Sequence, residues 1–152
     1  MSKNTLNLQQ LNSKMLSMNA LRNMTAPGAG WVNAVRLAIG MSMRQLANRL
    51  SITRQSVLDI ERREKSGSIT LKSLKDVANA LDMEFVYGFV PKGGTMERLI
   101  EKKAREKATE IVMRASNTMK LENQENSRQR IEKAIEERTE ELINTMPKIL
   151  WE

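Results

Sequence analysis

The sequence predicts a mainly α-helical protein that contains a helix-turn-helix unit, one short β-strand and a C-terminal helical arm. Apolar residues recur at helical spacing through most of the chain, residues 42–61 carry a helix-turn-helix pattern, and the apolar period changes from helical to two within residues 83–91. These changes divide the chain into an N-terminal helix and linker (1–30), a helix-turn-helix domain (31–82), a strand (83–92) and the arm (93–152).

The N-terminal segment has its own helical pattern. Leu8, Leu11, Met15 and Met18 follow helical spacing, and the run from Pro27 to Gly30 then interrupts the chain. Two interpretations stay open: this helix packs on a partner or a second copy of the chain, or it folds back on its own domain.

The central pattern combines several independent constraints. Leu46 and Leu50 lie on one face of a short helix, and the small Ala47 stands where a second helix must cross closely. Ile52 is predicted to fill the turn, and a buried stripe of the second helix is formed by Val57 and Ile60. The alternative is an ordinary helical hairpin, which requires neither the small residue nor the residue in the turn.

The pattern resembles the phage-repressor (Xre-like) family of helix-turn-helix domains. The resemblance runs from Trp31 to Leu81 and implies five helices, with the first over residues 31–39. In that first helix the inward positions are predicted to be Trp31, Val35 and Leu37 or Ala38. Ser42 caps the second helix, Thr53 caps the third, and the apolar residues from Ile69 to Leu81 form the closing helices.

Ser51 departs from the family at the turn position that is usually Gly. If Ser51 is left-handed, it costs roughly 1 kcal/mol relative to Gly.

In this geometry the start of the third helix enters the major groove of DNA. Arg54 suits guanine and Gln55 suits adenine, whereas Asp59 either accepts from a cytosine amino group or orients Arg54. The predicted phosphate contacts are Ser42, Arg44, Arg49, Thr53, Ser56, Arg62, Arg63, Lys65 and Lys72. The plainer alternative is that these are solvated polar residues on an exposed helix face.

The distribution of charge favours DNA at this unit. The chain carries a net charge of +7. Residues 1–30 hold three basic and no acidic side chains, residues 31–92 hold ten and six, and residues 93–152 hold twelve of each. The basic excess therefore lies in and before the helix-turn-helix, as polyanion binding requires.

Composition excludes several classes of function. The chain has no His and no Cys, which rules out thiol chemistry, disulfides and His-based acid–base catalysis. It shows no Gly-rich phosphate loop, signal peptide or apolar run long enough for a membrane. We therefore expect a cytoplasmic, non-enzymatic protein with no metal, no cofactor and no membrane partner.

Residues 83–91 read as a strand because β-branched and aromatic residues alternate between flanking breakers. A lone strand has no evident partner in its own chain, so we predict pairing with a second copy and a homodimer. The strand residues predicted at the dimer interface are Phe85, Val86, Tyr87 and Phe89. A terminal strand of the same chain is the alternative partner.

The arm returns to helical spacing over residues 95–121 and again over about 126–145. Its charges balance, and heptads are not sustained, so it looks like a protein-interaction arm rather than a long coiled coil. The predicted contact stripe for a protein partner is Ile111, Ala115, Met119 and Leu121.

Within the arm, residues 118–123 contain Thr118, Glu122 and Asn123 at a spacing that resembles the inhibitory helix of proteins that silence Fic-domain adenylyltransferases. In that family the glutamate pairs with an arginine that otherwise holds the ATP γ-phosphate, so the resemblance implies inhibition by misplaced nucleotide. An exposed residue at a helix end is the alternative for Glu122.

Segments along nearly the whole chain, among them Gly30-Trp31-Val32, residues 40–47, Ile69-Thr70-Leu71, residues 85–91, residues 118–124 and Leu150-Trp151-Glu152, are together similar to the bacterial "mobile mystery protein A" family. That family is typically encoded beside a Fic-domain partner in toxin–antitoxin-like loci. The resemblance implies an antitoxin that represses the operator of its own operon and inhibits the Fic toxin encoded by the neighbouring gene. A plain phage-type repressor, whose C-terminal helices only dimerise or bind an effector, is the alternative.

Overall fold

The computed structural model describes residues 3–121 and 128–152, with the side chains of residues 118–121 excepted. These residues form α1 (Lys3–Leu16), α2 (Trp31–Ala38), α3 (Met43–Leu50), α4 (Arg54–Ser66), α5 (Leu71–Ala80), α6 (Met96–Leu121) and α7 (Arg128–Thr145), with 3-10 turns at Asn19–Asn23 and Lys148–Trp151. The chain divides into two compact units, Asn23–Gly88 and a second unit made of Met1–Arg22 with Phe89–Glu152. The mainly helical prediction is confirmed.

The unit Asn23–Gly88 is built around one small apolar core. Its buried residues are Val32, Leu46, Ala47, Val57, Val77 and Leu81. Leu46 and Val57 are fully buried and Ala47 is 2% exposed, so α3 and α4 cross closely over a small side chain. This is the packing that the helix-turn-helix pattern predicts.

The helix ends follow the predicted capping chemistry. Ser42 Oγ accepts from the backbone N–H of Gln45, and Gln45 Oε1 accepts from the N–H of Ser42, which completes a capping box at the start of α3. Thr53 Oγ1 accepts from the N–H of Ser56 and caps α4. Both predicted caps are confirmed.

The turn between α3 and α4 passes through Ser51 at φ 56° and ψ 41°, which is the left-handed conformation. The energetic cost expected for a left-handed Ser at this position therefore applies. Ser51 therefore occupies a position that Gly fills with less strain. Ile52, predicted to fill this turn, is instead 36% exposed, because Leu46, Ala47 and Val57 already close the core below it.

The predicted orientation of α2 is wrong at three positions. Trp31 is 49% exposed, Leu37 is 61% exposed and Ala38 is exposed, whereas Val32 and Arg36 are buried and Val35 packs on the core. The sequence does not predict an inward arginine, because a charged side chain is rarely buried unless it is paired. Arg36 is paired with Glu61, and the inward direction of Val32 and Arg36 leaves Trp31, Leu37 and Ala38 on the exposed side of α2.

The five-helix prediction is also wrong, because this unit contains four helices among its described residues. After α5, Asp82 adopts φ 55° and the N–H of Met83 bonds back to the carbonyl of Ala78, which ends the helix. The residues that follow are rich in β-branched and aromatic side chains and continue to Pro91, a composition that disfavours another helix.

Residues 83–91 form neither helix nor strand in the single chain, so the strand prediction is not confirmed. A strand is defined by bonds to a neighbouring strand, and the described residues contain no second strand. The terminal strand partner considered from the sequence is absent from this same part of the chain.

The second unit is a helical hairpin with an additional N-terminal helix. α6 packs on α7 through the buried residues Ala104, Ala108, Ile135 and Leu142, joined by Leu150 of the C-terminal 3-10 turn, and Arg105 pairs with Glu132 across the two helices at 2.5 Å. Asn12 of α1 accepts from the N–H of Met96 at 3.2 Å and donates to Glu97 Oε2 at 2.8 Å. The helices predicted at 95–121 and about 126–145 are confirmed, and α1 is fastened to the start of α6.

None of the helices in the described parts of the chain has the length and apolarity needed to cross a bilayer.

Candidate nucleic-acid interface

The inner face of α4 fixes how this helix is presented. Val57 is fully buried and Ile60 packs on the core, while Glu61 on the same face is 6% exposed. Glu64, one turn further along, is half-buried. The outer face of α4 is left to polar residues.

A buried ion pair anchors α4 to α2. Arg36 Nε donates to Glu61 Oε1 at 2.6 Å, and Arg36 NH2 donates to Glu61 Oε2 at 3.3 Å. Asn33 Nδ2 donates to the same carboxylate at 2.9 Å, and Arg36 NH1 donates to the Met41 carbonyl at 3.0 Å. The two charged groups are joined by two hydrogen bonds, and each has a further hydrogen-bond partner, as a buried charge pair requires.

A second carboxylate completes the anchor. Glu64 accepts from the backbone N–H groups of Trp31 at 2.7 Å and of Val32 at 2.8 Å, the free donors at the start of α2. Gly30 is required beside it, because a Cβ there would lie 2.8 Å from Glu64 Oε1 and the residue has φ 91°. Sequence reasoning missed both glutamates. Their spacing with Val57 and Ile60, on the face that must be buried, was the available signal.

The outer face of α4 carries the predicted base-reading residues. Helical spacing places Gln55, Asp59 and Arg62 on the side opposite Val57 and Ile60. Gln55 and Arg62 are exposed and Asp59 is half-buried. Arg54 is exposed at the first position of the helix and makes no hydrogen bond or ion pair with any described residue. Gln55, Asp59 and Arg62 project from a single helix face and can enter a groove together, with Arg54 at the N-terminal end of the same helix.

Asp59 has a different neighbour from the one considered in the sequence. Its carboxylate accepts from Gln55 Nε2 at 3.3 Å, one turn away, rather than from Arg54. This bond directs one amide hydrogen of Gln55 toward Asp59 and leaves the second hydrogen and the amide oxygen for a ligand. One donor and one acceptor side by side match the N7 and N6 edge of adenine.

Apart from Arg49, the predicted phosphate-contact residues fall into two groups. Arg44, Arg62, Arg63, Lys65 and Lys72 are exposed, and no ion pair engages them among the described residues. The hydroxyls of Ser42 and Thr53 serve the caps of α3 and α4, and Ser56 bonds to Thr53 at 2.9 Å. The first group supplies exposed positive charge, and the hydroxyls of Ser42 and Thr53 accept hydrogen bonds from backbone N–H groups at the starts of α3 and α4.

Arg49 has a structural role within its own unit. Its NH1 donates to the carbonyl of Ala80 at 3.0 Å and lies 3.5 Å from Asp82 Oδ2. A cation at the last carbonyls of a helix is favourable, so Arg49 closes the end of α5.

The predicted protein-contact and inhibitory residues are only partly described. Ile111 is half-buried and Ala115 is exposed on α6. The side chains of Thr118, Met119 and Leu121, and the whole of Glu122 and Asn123, lie outside the described residues. No group of three or more metal-ligating side chains occurs among the residues that the structure describes.

Residues 32–87 match a family model described as helix-turn-helix. The matched range covers α3, α4 and α5 and nearly all of α2. No curated protein and no solved structure matches the chain. This segment is therefore similar to helix-turn-helix domains, a kind of domain found in DNA-binding transcriptional regulators.

Proposed function

We propose that the protein is a sequence-specific repressor that binds the operator of its own operon through α4. The observation that carries this proposal is the two-sided character of α4. Val57, Ile60 and Glu61 fasten one side to the domain, and the opposite side presents Gln55, Asp59 and Arg62. A rigidly held helix with a polar outer face is what major-groove recognition requires.

The sharpest test separates residues that read bases from residues that contact phosphate. Arg54→Ala or Gln55→Ala is expected to cost ~1 to 3 kcal/mol at the operator and to relax preference at one base position. Arg44→Ala is the matched control, because an exposed arginine that contacts phosphate weakens specific and nonspecific binding alike and reduces the salt slope by about one. If Arg54→Ala and Arg44→Ala have the same effect on every sequence, the base-reading assignment fails.

The repressor is proposed to act as a homodimer. A single recognition helix reads only a few base pairs, and two copies related by a two-fold axis read half-sites about one helical turn apart. The segment proposed to join the copies is the one around Phe85, Val86, Tyr87 and Phe89, since Val86, Tyr87 and Phe89 are 67%, 59% and 82% exposed.

The arm is proposed to bind and inhibit a Fic-domain adenylyltransferase toxin, which makes the protein an antitoxin. Support comes from the spacing of Thr118, Glu122 and Asn123, from the exposed Ala115 on the preceding turns and from the balanced charge of residues 93–152. Affinity is assigned to the apolar stripe and inhibition to the single carboxylate of Glu122, which competes for the arginine that positions ATP.

This proposal predicts that binding and inhibition separate. Glu122→Gly or Glu122→Gln is expected to leave the two proteins associated yet restore transfer of labelled AMP by the purified complex, together with toxicity on co-expression. Glu136→Gln, an exposed glutamate of α7, is the control that should leave inhibition intact. If the Glu122→Gln complex still transfers no AMP, inhibition works by steric coverage. If the two proteins do not associate at all, the alternative holds: a plain repressor whose arm serves dimerisation or effector binding.

A further inference from the structure

The segment between α5 and α6 has an unusual combination of exposed apolar side chains and free backbone groups. No N–H from residue 84 to residue 93 donates a backbone hydrogen bond, and the carbonyls of residues 84–90 accept none from the described residues. No residue from 83 to 93 has a left-handed φ. Free donors and acceptors in a run without left-handed residues form an edge that another strand can pair with.

The side chains of this segment already sort onto two faces. The rings of Phe85 and Tyr87 stack with their centroids 5.7 Å apart, and Lys75 Nζ lies 5.8 Å from the Tyr87 ring. Alternation places Phe89 with these aromatics and Val86 with Val90 on the other face. Phe89 is 82% exposed, so none of the residues that the structure describes covers the far end of the aromatic face.

We infer that residues 84–92 pair with the same segment of a second copy as an antiparallel two-stranded ribbon whose two-fold axis passes through Gly88. This inference rests on the proposed homodimeric repressor and specifies its interface. The residues that face each other are Glu84 and Lys92, Val86 and Val90, Tyr87 and Phe89, and Gly88 with its own copy.

Charge selects the antiparallel orientation and this register. Glu84 and Lys92 are exposed and form no ion pair with the described residues. A parallel ribbon would place each beside its own like charge, whereas the antiparallel register pairs them at both ends. A register centred on Tyr87 would instead pair Lys92 with Asp82, which is left-handed and lies 3.5 Å from Arg49. Opposite charges across strands stabilise pairing and like charges oppose it.

The proline at the end of the segment fits the same ladder. In an antiparallel pair, alternate residues direct both backbone groups to the partner, and the residues between them direct theirs away. Pro91 has no N–H, and its carbonyl already accepts from Gly94 N–H and from Arg22 NH2. Pro91 must therefore face away with Tyr87 and Phe89, and residues 86, 88 and 90 face the partner.

In this arrangement the exposed aromatic side chains become covered by the partner strand. Tyr87 and Phe89 oppose each other at a non-hydrogen-bonded pair, where Cα atoms approach to about 4.5 Å and side chains pack closely. Each copy covers the other's Phe89, and Gly88 lets the two backbones meet at the axis without opposing side chains.

The absence of cysteine allows a direct test on the full-length chain. Single variants Gly88→Cys, Tyr87→Cys and Val86→Cys are oxidised and the cross-linked dimer is measured on a non-reducing gel. The axis at Gly88 brings the two Cα atoms of residue 88 to about 5.5 Å, within disulfide range, whereas the copies of residue 87 lie beyond about 7 Å. Gly88→Cys is expected to cross-link readily and Val86→Cys to remain uncross-linked.

Cross-linking of Tyr87→Cys in place of Gly88→Cys would overturn the register, and a wild-type dimer in sedimentation with no cross-link at any of the three positions would overturn the interface. Operator binding is measured on the same samples. If a dimer cross-linked at Gly88 shows no sequence preference for DNA, the proposed repressor function is wrong but the strand pairing is supported.

Charge exchange gives a second test that does not depend on a new cysteine. Glu84→Lys or Lys92→Glu should each raise the dimer Kd by roughly two- to tenfold, and the double exchange should restore it. Lys148→Glu, at an exposed lysine of the second unit, is the control. If the double exchange weakens the dimer by the full combined effect of the two single exchanges, Glu84 and Lys92 do not face each other.

Discussion

At the scale of single residues, the most consequential contact is the bond between Gln55 and Asp59. From the sequence, Asp59 was expected to bind a base or to orient Arg54. Helical spacing alone does not determine which neighbouring side chain its carboxylate binds. The 3.3 Å contact shows that Asp59 holds the Gln55 amide. Recognition by Gln55 therefore depends on which way its amide is turned, a property of the pair rather than of either residue.

Asp59→Asn is expected to loosen the base preference without removing affinity. An asparagine either donates to or accepts from Gln55, so the amide of Gln55 is no longer held with its oxygen free for the adenine amino group. Relative affinities for operators that differ at the base read by Gln55 should converge, and removal of a negative charge should leave or slightly raise total affinity. A competition binding assay measures both, and unchanged discrimination would mean that Asp59 does not position Gln55.

Ser51 provides a residue-scale test of stability. Its left-handed backbone predicts that Ser51→Gly raises the free energy of unfolding by up to ~1 kcal/mol. Asn48→Gly, within α3 and before its C-cap Ser51, is the control and should lower stability, because Gly inside a helix is unfavourable. Urea unfolding followed by circular dichroism measures both, and a destabilised Ser51→Gly would contradict the strained turn.

At the scale of the elements, the sequence predicted the helices and their caps well and their facing less well. Ser42, Thr53 and the apolar spacing of α3 and α4 are local signals, so they were readable. The inward direction of Arg36 could not be predicted from local sequence. A charged residue is tolerated in the core only when tertiary structure brings a partner such as Glu61 to it. The strand predicted over residues 83–91 is not confirmed for a related reason, since a strand is defined by hydrogen bonds to a neighbouring strand and the described residues contain none.

Breaking the anchor between α2 and α4 is expected to be costly. Glu61→Gln leaves the buried guanidinium of Arg36 without its counter-charge, which typically costs ~3 to 5 kcal/mol. The double variant Arg36→Met with Glu61→Met removes both charges and is expected to recover much of this loss. Thermal unfolding measures the series, and a Glu61→Gln variant with wild-type stability would contradict the structural importance of the pair.

A backbone test addresses the segment proposed to join two copies. Val86→Pro removes an N–H that faces the partner strand, so the dimer should weaken and operator affinity should fall, although the recognition surface is untouched. Val86→Ala keeps the N–H and is the control, with a smaller loss from the missing methyl groups. Sedimentation that shows an unchanged Val86→Pro dimer would move the interface to α1 or to the arm.

At the scale of the whole molecule, the basic excess follows the sequence and not the division into two compact units, because the basic residues of Met1–Arg22 belong to the same unit as the arm. The basic excess lies within residues 1–92, and residues 93–152 are neutral in sum. The helix-turn-helix unit was predictable because its constraints are dense and local. Inhibition by the arm rests on a short motif whose central residue, Glu122, lies outside the described residues, so it remains a proposal from sequence.

The most direct test of the central claim is selection of DNA from a random library by the full-length protein. A dimer that reads DNA through α4 is expected to enrich a two-fold repeated sequence with half-site centres about ten base pairs apart. Gln55→Ala should lose preference at one base in each half-site, while Arg44→Ala should keep the same sequence at lower affinity. No enriched sequence, or a sequence that Gln55→Ala and Arg54→Ala select unchanged, would contradict recognition by α4.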